Sequence, residues 1–145
     1  MQLRQVMTES LVTIEPNAPI EKAAVAMREA QVGILPVVES GRPVGVITDR
    51  DLAIRCIGVD VPPKSVAEAM TRNPVCMHEA AELDFAVETM RARRIGRLLV
   101  TDELGRLVGI LSQDDVAVAL GGDRRVGKLA EGLGMAHRRV GTLTR

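Results

Sequence analysis

Met-Arg-Glu-Ala-Gln-Val-Gly at residues 27–33 returns sixty-three positions later as Met-Arg-Ala-Arg-Arg-Ile-Gly at residues 90–96. Gly-Val-Ile-Thr-Asp-Arg-Asp-Leu at residues 45–52 returns as Gly-Ile-Leu-Ser-Gln-Asp-Asp-Val at residues 109–116, an offset of sixty-four. One inserted residue near Leu104 accounts for the difference. A duplicated unit of this kind usually buries a shared face, and the pair offers a cleft for a ligand.

Each copy predicts the same order of elements: strand, helix, strand, strand, helix. The first helix is indicated by apolar residues at the 3.6-residue period, and the two strands after it by apolar runs that flank turn residues. Gly33 and Gly96 follow the helices and are predicted to form left-handed caps. A second helix is expected to begin at Thr48 and at Ser112. The helical stripes are Ile20, Ala23, Ala24, Met27 and Ala30 in one copy and Leu83, Ala86, Val87 and Met90 in the other.

Composition limits the function classes. The 145 residues carry nineteen basic and nineteen acidic side chains, so no net field points to nucleic acid or to a membrane surface. Phe85 is the only aromatic residue, which disfavours single-strand binding by base stacking. The sequence contains no apolar run of membrane-spanning length and no signal-peptide pattern, so we expect a cytoplasmic protein. Cys56 and Cys76 are interpreted as two buried, reduced thiols, with a redox-linked pair as the alternative.

The repeats set the expected domain boundaries. Residues 1–62 form the first repeat and residues 63–120 the second. Residues 121–145 form a basic, glycine-rich tail, which is predicted to be partly disordered or loosely helical.

The motifs of both copies resemble the cystathionine β-synthase (CBS) domain. The pattern is Met-Thr, a strand, a helix, Leu35-Pro36-Val37-Val38, and then Gly45-Val46-Ile47-Thr48-x-x-Asp51-Leu52. The resemblance covers about residues 3–120, and the layout is similar to stand-alone CBS pairs such as the bacterial hypoxic response proteins. It implies an α/β (α+β) fold in which tandem repeats pack through their sheets as a pseudo-twofold module, which then forms a homodimer.

The resemblance also implies a function. Such modules bind adenosine-containing ligands, namely AMP, ADP, ATP or S-adenosylmethionine, in clefts between the repeats, and they signal to a partner protein. The expected protein is therefore a non-catalytic regulatory module with no required cofactor. Its partners would be an adenine-containing small molecule, a second copy of the chain and an unknown protein, with neither nucleic acid nor a membrane.

The resemblance assigns the ligand site residue by residue. The carboxylates of Thr48-x-x-Asp51 and Ser112-x-x-Asp115 would accept hydrogen bonds from the ribose hydroxyls. Arg50 and Arg97 would favour a phosphate beside Asp51, so the Asp115 cleft is expected to be weaker or to prefer a ligand without phosphate. The partners expected for Asp51 are Val75, Cys76, Gly96, Arg97 and Leu98, and those expected for Asp115 are Val12, Thr13, Ile34 and Pro36.

Three other interpretations stay open. Thr48-x-x-Asp51 and Ser112-x-x-Asp115 are also typical of helix N-caps, which stabilise a helix without a ligand. The module could accordingly be a ligand-free structural unit that dimerises and docks a partner. The basic tail could bind an anionic partner in a salt-sensitive way. An enzyme is the least expected class, because the sequence has no recognisable catalytic set, and the lone His78 and His137 lack a second ligand at metal spacing.

Overall fold

The structure, a computed structural model, describes residues 1–121. The predicted tail from residue 122 onward, with its expected disorder or loose helix and with His137, lies outside the described residues. The described chain divides into two compact units. The continuous unit is Val12–Pro74, and the two-segment unit joins Met1–Leu11 to the chain from Val75 onward.

The continuous unit contains one antiparallel three-stranded sheet with the strand order β1-β2-β3. The chain leaves β2 in a single α-helical turn that widens into a π-helix over Leu52–Ile57, where the Gly58 amide donates to the Ala53 carbonyl five residues back. The labelled elements are α1 (Ile20–Ala30), β1 (Ile34–Glu39), β2 (Arg42–Thr48), α2 (Asp49–Asp51), α3 (Val66–Ala69) and β3 (Thr71–Arg72).

The two-segment unit contains a mixed sheet with the strand order β4-β5-β6, in which β4 runs parallel and β6 antiparallel to β5. A 3₁₀ helix over Leu3–Gln5 precedes it in sequence. The labelled elements are β4 (Cys76–His78), α4 (Leu83–Arg93), β5 (Arg97–Thr101), β6 (Leu107–Ser112) and α5 (Gln113–Ala119). The predicted α+β class is confirmed, and in each copy the two strands predicted after the first helix form an antiparallel hairpin.

The spatial units exchange the leading segments of the sequence repeats. Thr71, in the Met-Thr segment of the second repeat, pairs with Val46 of β2 in the continuous unit. Thr8, its equivalent in the first repeat, pairs with Ile110 of β6 in the two-segment unit, through N···O bonds of 2.9 and 3.0 Å. Each Met-Thr segment therefore adds an edge to the sheet that the other repeat builds.

The first predicted strand is complete in one copy only. In the two-segment unit, the Leu99 amide donates to the Val75 carbonyl at 2.9 Å, and β4 forms. The residue equivalent to Leu99 in the other copy is Pro36, which has no amide hydrogen and cannot extend the ladder toward Val12. The predicted strand there is reduced to a single bridge between Ile14 and Val37.

The predicted glycine caps are wrong. The left-handed residues that end α1 and α4 are Gln31 (φ 55°) and Arg94 (φ 54°), two positions before Gly33 and Gly96. The helices end earlier than the glycines because the chain must already turn toward the strands that begin at Ile34 and Arg97.

Each unit has its own aliphatic core, which follows from the near absence of aromatic residues in the sequence. Phe85 is exposed, and methionines take the place of aromatic rings, since their flexible thioethers fill irregular gaps. Fully buried side chains include Ala23, Leu35, Val37, Ile47 and Val66 in the continuous unit, and Leu3, Ala86, Met90, Val100 and Leu111 in the two-segment unit.

Candidate functional site

Asp51 lies at the junction where β2 ends and the following helix begins. The Thr48 amide donates to Asp51 Oδ2 at 2.9 Å, and the Asp51 amide donates to Thr48 Oγ1 at 3.1 Å. These two bonds form a capping box, which satisfies amides that a helix start leaves without partners. The carboxylate is thereby held in one orientation, with its side chain 13% exposed.

Asp115 repeats this arrangement between β6 and α5. The Ser112 amide donates to Asp115 Oδ2 at 2.8 Å, and the Ser112 hydroxyl donates to the same oxygen at 2.9 Å. The Asp115 amide donates back to Ser112 Oγ at 3.1 Å. The capping interpretation of both motifs is thus confirmed, and it leaves acceptor capacity on each carboxylate because a carboxylate has about four lone-pair positions.

The backbone of each hairpin brings further predicted site residues to the same sheet end. In the continuous unit, Ile34 lies opposite Thr48, and the Asp49 amide donates to the Gly33 carbonyl at 3.0 Å. Gly33 is close to this helix start, since a Cβ there would lie 3.0 Å from Asp49 Oδ2. Of the other predicted residues of this unit, Pro36 is buried, and Val12 and Thr13 are exposed.

The two-segment unit shows the same pattern. Arg97 lies opposite Ser112, and the Gln113 amide donates to the Gly96 carbonyl at 2.9 Å. Cys76 lies opposite Leu99, one position along β5 from the buried Leu98. Each unit therefore brings the start of its own hairpin, Gly33 with Ile34 or Gly96 with Arg97, to the start of its capped helix.

The two predicted basic residues are both exposed. Arg50 follows Asp49, whose Oδ1 accepts the Arg50 amide at 2.8 Å. Arg97 stands at the first position of β5 in the two-segment unit. The expectation that Arg97 serves Asp51 pairs residues of different units and stays a prediction, as does every other pairing between the carboxylate of one unit and the strand residues of the other.

The cysteine prediction is only half right. Cys56 is buried, and this burial raises the pKa of its thiol, with the negative charge of Asp51 adding to the effect. Cys76, predicted to be buried, is exposed. It lies on the edge strand β4, where alternation puts Cys76 and His78 on the exposed face and Met77 on the inner one.

Two residues near the carboxylates were missed in the sequence. Thr8 Oγ1 donates to Asp115 Oδ1 at 3.2 Å. Arg55 Nε lies 3.8 Å from Asp51 Oδ1, and Arg55 Nη1 donates to the carbonyls of Ala69 and Met70 at 3.1 and 3.2 Å. The recurrence of Met-Thr pointed to Thr8, and the spacing of four residues between Asp51 and Arg55 is typical of a helical ion pair.

A cavity of about 210 Å³ lies elsewhere in the two-segment unit and includes none of the predicted site residues. Its lining is Met1, Glu82, Leu83, Asp84 and Leu120. Within residues 1–121, no three His, Cys, Asp or Glu side chains are grouped so that they could hold a metal ion. No helix in that part of the chain has both the length and the apolar character needed to cross a membrane.

Comparison with known proteins identifies the family. The model of the CBS domain matches the chain twice, over residues 3–57 and 66–122. The chain belongs to the CBS domain family. The CBS domain-containing protein YhcV of Bacillus subtilis (strain 168) is 35% identical over 117 residues, which cover 80% of this chain and 83% of YhcV. The resemblance found in the sequence is thereby confirmed.

Three solved structures show what similar CBS pairs bind. CBSX2, solved in complex with AMP, has a TM-score of 0.74 at 27% identity and covers 81% of this chain and 94% of its own. The CBS pair of MJ0100, solved with 5′-methylthioadenosine and S-adenosyl-L-methionine, has a TM-score of 0.74 at 28% identity. The match covers 84% of this chain and 97% of the MJ0100 chain. Hypoxic Response Protein I, solved with two coordinated zinc ions, has a TM-score of 0.71 at 26% identity. The match covers 81% of this chain and 98% of the chain of that protein.

Proposed function

We propose that this CBS pair is a non-catalytic regulatory protein that binds an adenosine-containing ligand through the carboxylates of Asp51 and Asp115. The observation that carries the proposal is the matched geometry of the two motifs. Each carboxylate is oriented by a capping box at the end of a strand before any ligand meets it, which lowers the entropic cost of binding.

The chemistry of a carboxylate suits a ribose. Two neighbouring hydroxyls can donate to its oxygens, and hydrogen bonds to a charged group contribute roughly 1.5–3 kcal/mol each. AMP in CBSX2 and S-adenosylmethionine in the MJ0100 pair support a ligand of this class. In the proposal, residues of the opposite repeat complete each site, and the apolar ones among them enclose the adenine. Val75, Cys76, Gly96, Arg97 and Leu98 serve Asp51, and Val12, Thr13, Ile34 and Pro36 serve Asp115.

Arg50 and Arg97 distinguish the two sites in this proposal. Ile34 holds the position in the first repeat that Arg97 holds in the second, and it offers no charge. A phosphate-bearing nucleotide is therefore assigned to Asp51, and a weaker or phosphate-free ligand to Asp115. Ligand binding would favour one conformation of a homodimer in the cytoplasm, and a partner protein would read that state.

Isothermal titration with AMP, ADP, ATP and S-adenosylmethionine tests the proposal. At least one of these ligands should bind, and Asp51→Asn should weaken nucleotide binding by about tenfold or more, because the neutral amide is a poorer acceptor. Asp114→Asn is the matched control, since Asp114 is exposed and takes no part in the capping box that Ser112 and Asp115 form. Native mass spectrometry of the purified chain would show the oligomer and any co-purified ligand together.

A ligand-free docking module is the second candidate, and the capping boxes favour it, because they explain both motifs through helix stability alone. It would be supported if no ligand bound below millimolar concentration and Asp51→Asn changed only the free energy of unfolding.

A further inference from the structure

The two carboxylates differ in how many hydrogen bonds they already accept. Asp115 accepts three, from the Ser112 amide, the Ser112 hydroxyl and the Thr8 hydroxyl. Within residues 1–121, the Asp51 carboxylate accepts one hydrogen bond, which the Thr48 backbone amide donates. Arg55 Nε, at 3.8 Å from Asp51 Oδ1, adds charge but is too distant for a hydrogen bond.

This difference decides what each carboxylate can still receive. With about four lone-pair positions, Asp51 has room for both hydroxyls of a ribose, whereas Asp115 has room for about one. A ribose diol at Asp115 would therefore have to displace a hydroxyl that the protein itself supplies.

Thr8 is held in a way that makes displacement difficult. Its amide donates to the Ile110 carbonyl at 2.9 Å and its carbonyl accepts from the Ile110 amide at 3.0 Å, so the backbone at Thr8 is fixed on β6. A β-branched side chain on an extended backbone has few rotamers, which keeps the hydroxyl near Asp115 Oδ1. The repeat-equivalent Thr71 makes no hydrogen bond to Asp51 in the described part of the chain, although it pairs with β2 in the same way.

We propose that Thr8 determines the sugar selectivity of the Asp115 site. Its hydroxyl occupies Asp115 Oδ1, so this site accepts a sugar with one available hydroxyl about as well as a ribose, whereas the Asp51 site requires the full diol. The inference rests on the proposed function, since it takes both carboxylates to be sugar acceptors.

The test uses the full chain with Asp51→Asn, which leaves Asp115 as the competent carboxylate, and titrates adenosine and 2′-deoxyadenosine calorimetrically. With Thr8 in place, the two nucleosides should bind within about threefold of each other. Thr8→Val keeps the β-branched shape and removes the donor. In this variant, adenosine should bind at least about tenfold more tightly than 2′-deoxyadenosine. Thr71→Val is the matched control and should leave the ratio unchanged.

Three outcomes would overturn the inference. First, the ratio of adenosine affinity to 2′-deoxyadenosine affinity could stay the same in Thr8→Val. Second, Thr8→Val could weaken adenosine binding, which would make Thr8 an orienting group for the carboxylate. Third, the Asp51→Asn chain could bind neither nucleoside although the wild-type chain does. Failure of the proposed function looks different, because the wild-type chain itself would then bind no adenosine compound. Thermal melting of Thr8→Val, expected to match that of Thr71→Val, shows that any change in the ratio does not arise from unfolding.

Discussion

At the scale of single residues, Arg55 has the most consequential contacts outside the two motifs. Its guanidinium donates to the carbonyls of Ala69 and Met70 and lies beside Asp51. Carbonyls at the end of a helix lack partners within the helix, so Arg55 satisfies the C-terminal end of α3. One side chain thus links the capped helix start at Asp51 to the segment that leads into β3.

Replacing Arg55 with methionine should destabilise the continuous unit. Arg55→Met keeps much of the apolar stem and removes the donors, so we expect a loss of about 1–2 kcal/mol in the free energy of unfolding, measured by urea denaturation. Arg50→Met, one turn earlier and exposed, should stay within about 0.5 kcal/mol of the wild type. Equal effects of the two substitutions would show that the carbonyl bonds contribute nothing.

The sequence predicted the hydrogen-bonded pairs that are close together along the chain and missed those that are far apart along it. Thr48 with Asp51 and Ser112 with Asp115 are three positions apart, so the pattern alone indicated both boxes. The bond from Thr8 to Asp115 joins residues 107 positions apart, and Arg55 reaches carbonyls 14 and 15 positions away. Only folding reveals such pairs, because no local periodicity encodes them.

At the scale of elements, the place of each Met-Thr segment beside its sheet depends on a glycine in the strand that it borders. A Cβ at Gly45 of β2 would lie 2.6 Å from Met70 Sδ and 2.8 Å from the Thr71 carbonyl oxygen. A Cβ at the equivalent Gly109 of β6 would lie 2.5 Å from Met7 Sδ, and its three nearest atoms would all belong to the Met7 side chain. The first clash involves a backbone atom of β3, and the second involves a side chain that can rotate.

Gly45→Ala should consequently destabilise the protein more than Gly109→Ala. We expect Gly45→Ala to cost about 1–3 kcal/mol because β3 must shift, with a smaller cost for Gly109→Ala. Chemical denaturation of both variants under the same conditions gives the comparison. A larger cost for Gly109→Ala would mean that Met7 is less able to move than its thioether chain suggests.

Element types were predictable from the sequence, and their ends were not. The helices and hairpins follow from clear apolar periodicity. The caps at Gln31 and Arg94 were missed because glycine is the expected residue at a left-handed position, and both repeats place a longer side chain there. The π-helix over Leu52–Ile57 has no counterpart in α5, and a single sequence gives no reliable signal for that difference.

At the scale of the whole molecule, the leading segment is part of a core. Leu3 is fully buried in the two-segment unit, in the same apolar cluster as Leu83 and Met90. Its amide donates to the Ala81 carbonyl at 3.0 Å, and the Leu83 amide donates to the Met1 carbonyl at 2.8 Å. Residues near the chain start thus close a unit whose other elements begin at Val75.

Leu3→Ala should therefore weaken the distant two-segment sheet. We expect a loss of about 2–5 kcal/mol, typical of a buried leucine, together with faster hydrogen exchange in β5 and β6 than in β1 and β2. Val61→Ala, at an apolar position that is 87% exposed, serves as the control and should change neither measurement. Faster exchange confined to the continuous unit would contradict the assignment of Leu3.

The duplication itself was evident from the sequence, whereas the exchange of segments was not. Two similar stretches show that a unit recurs, but nothing in the letters says which sheet a Met-Thr segment joins. Thr8 and Thr71 have the same local sequence pattern, and only the pairing with Ile110 and Val46 distinguishes self-contained repeats from exchanged ones.

Dividing the gene between Pro62 and Pro63 would consequently not recreate an ancestral single-copy protein. The first fragment would contain Thr8 but not β6, the strand with which Thr8 pairs. The second would contain Thr71 but not β2, the strand with which Thr71 pairs. Such halves are expected to recover their native sheets only by recombining with each other, so the duplicated copies have become mutually dependent parts.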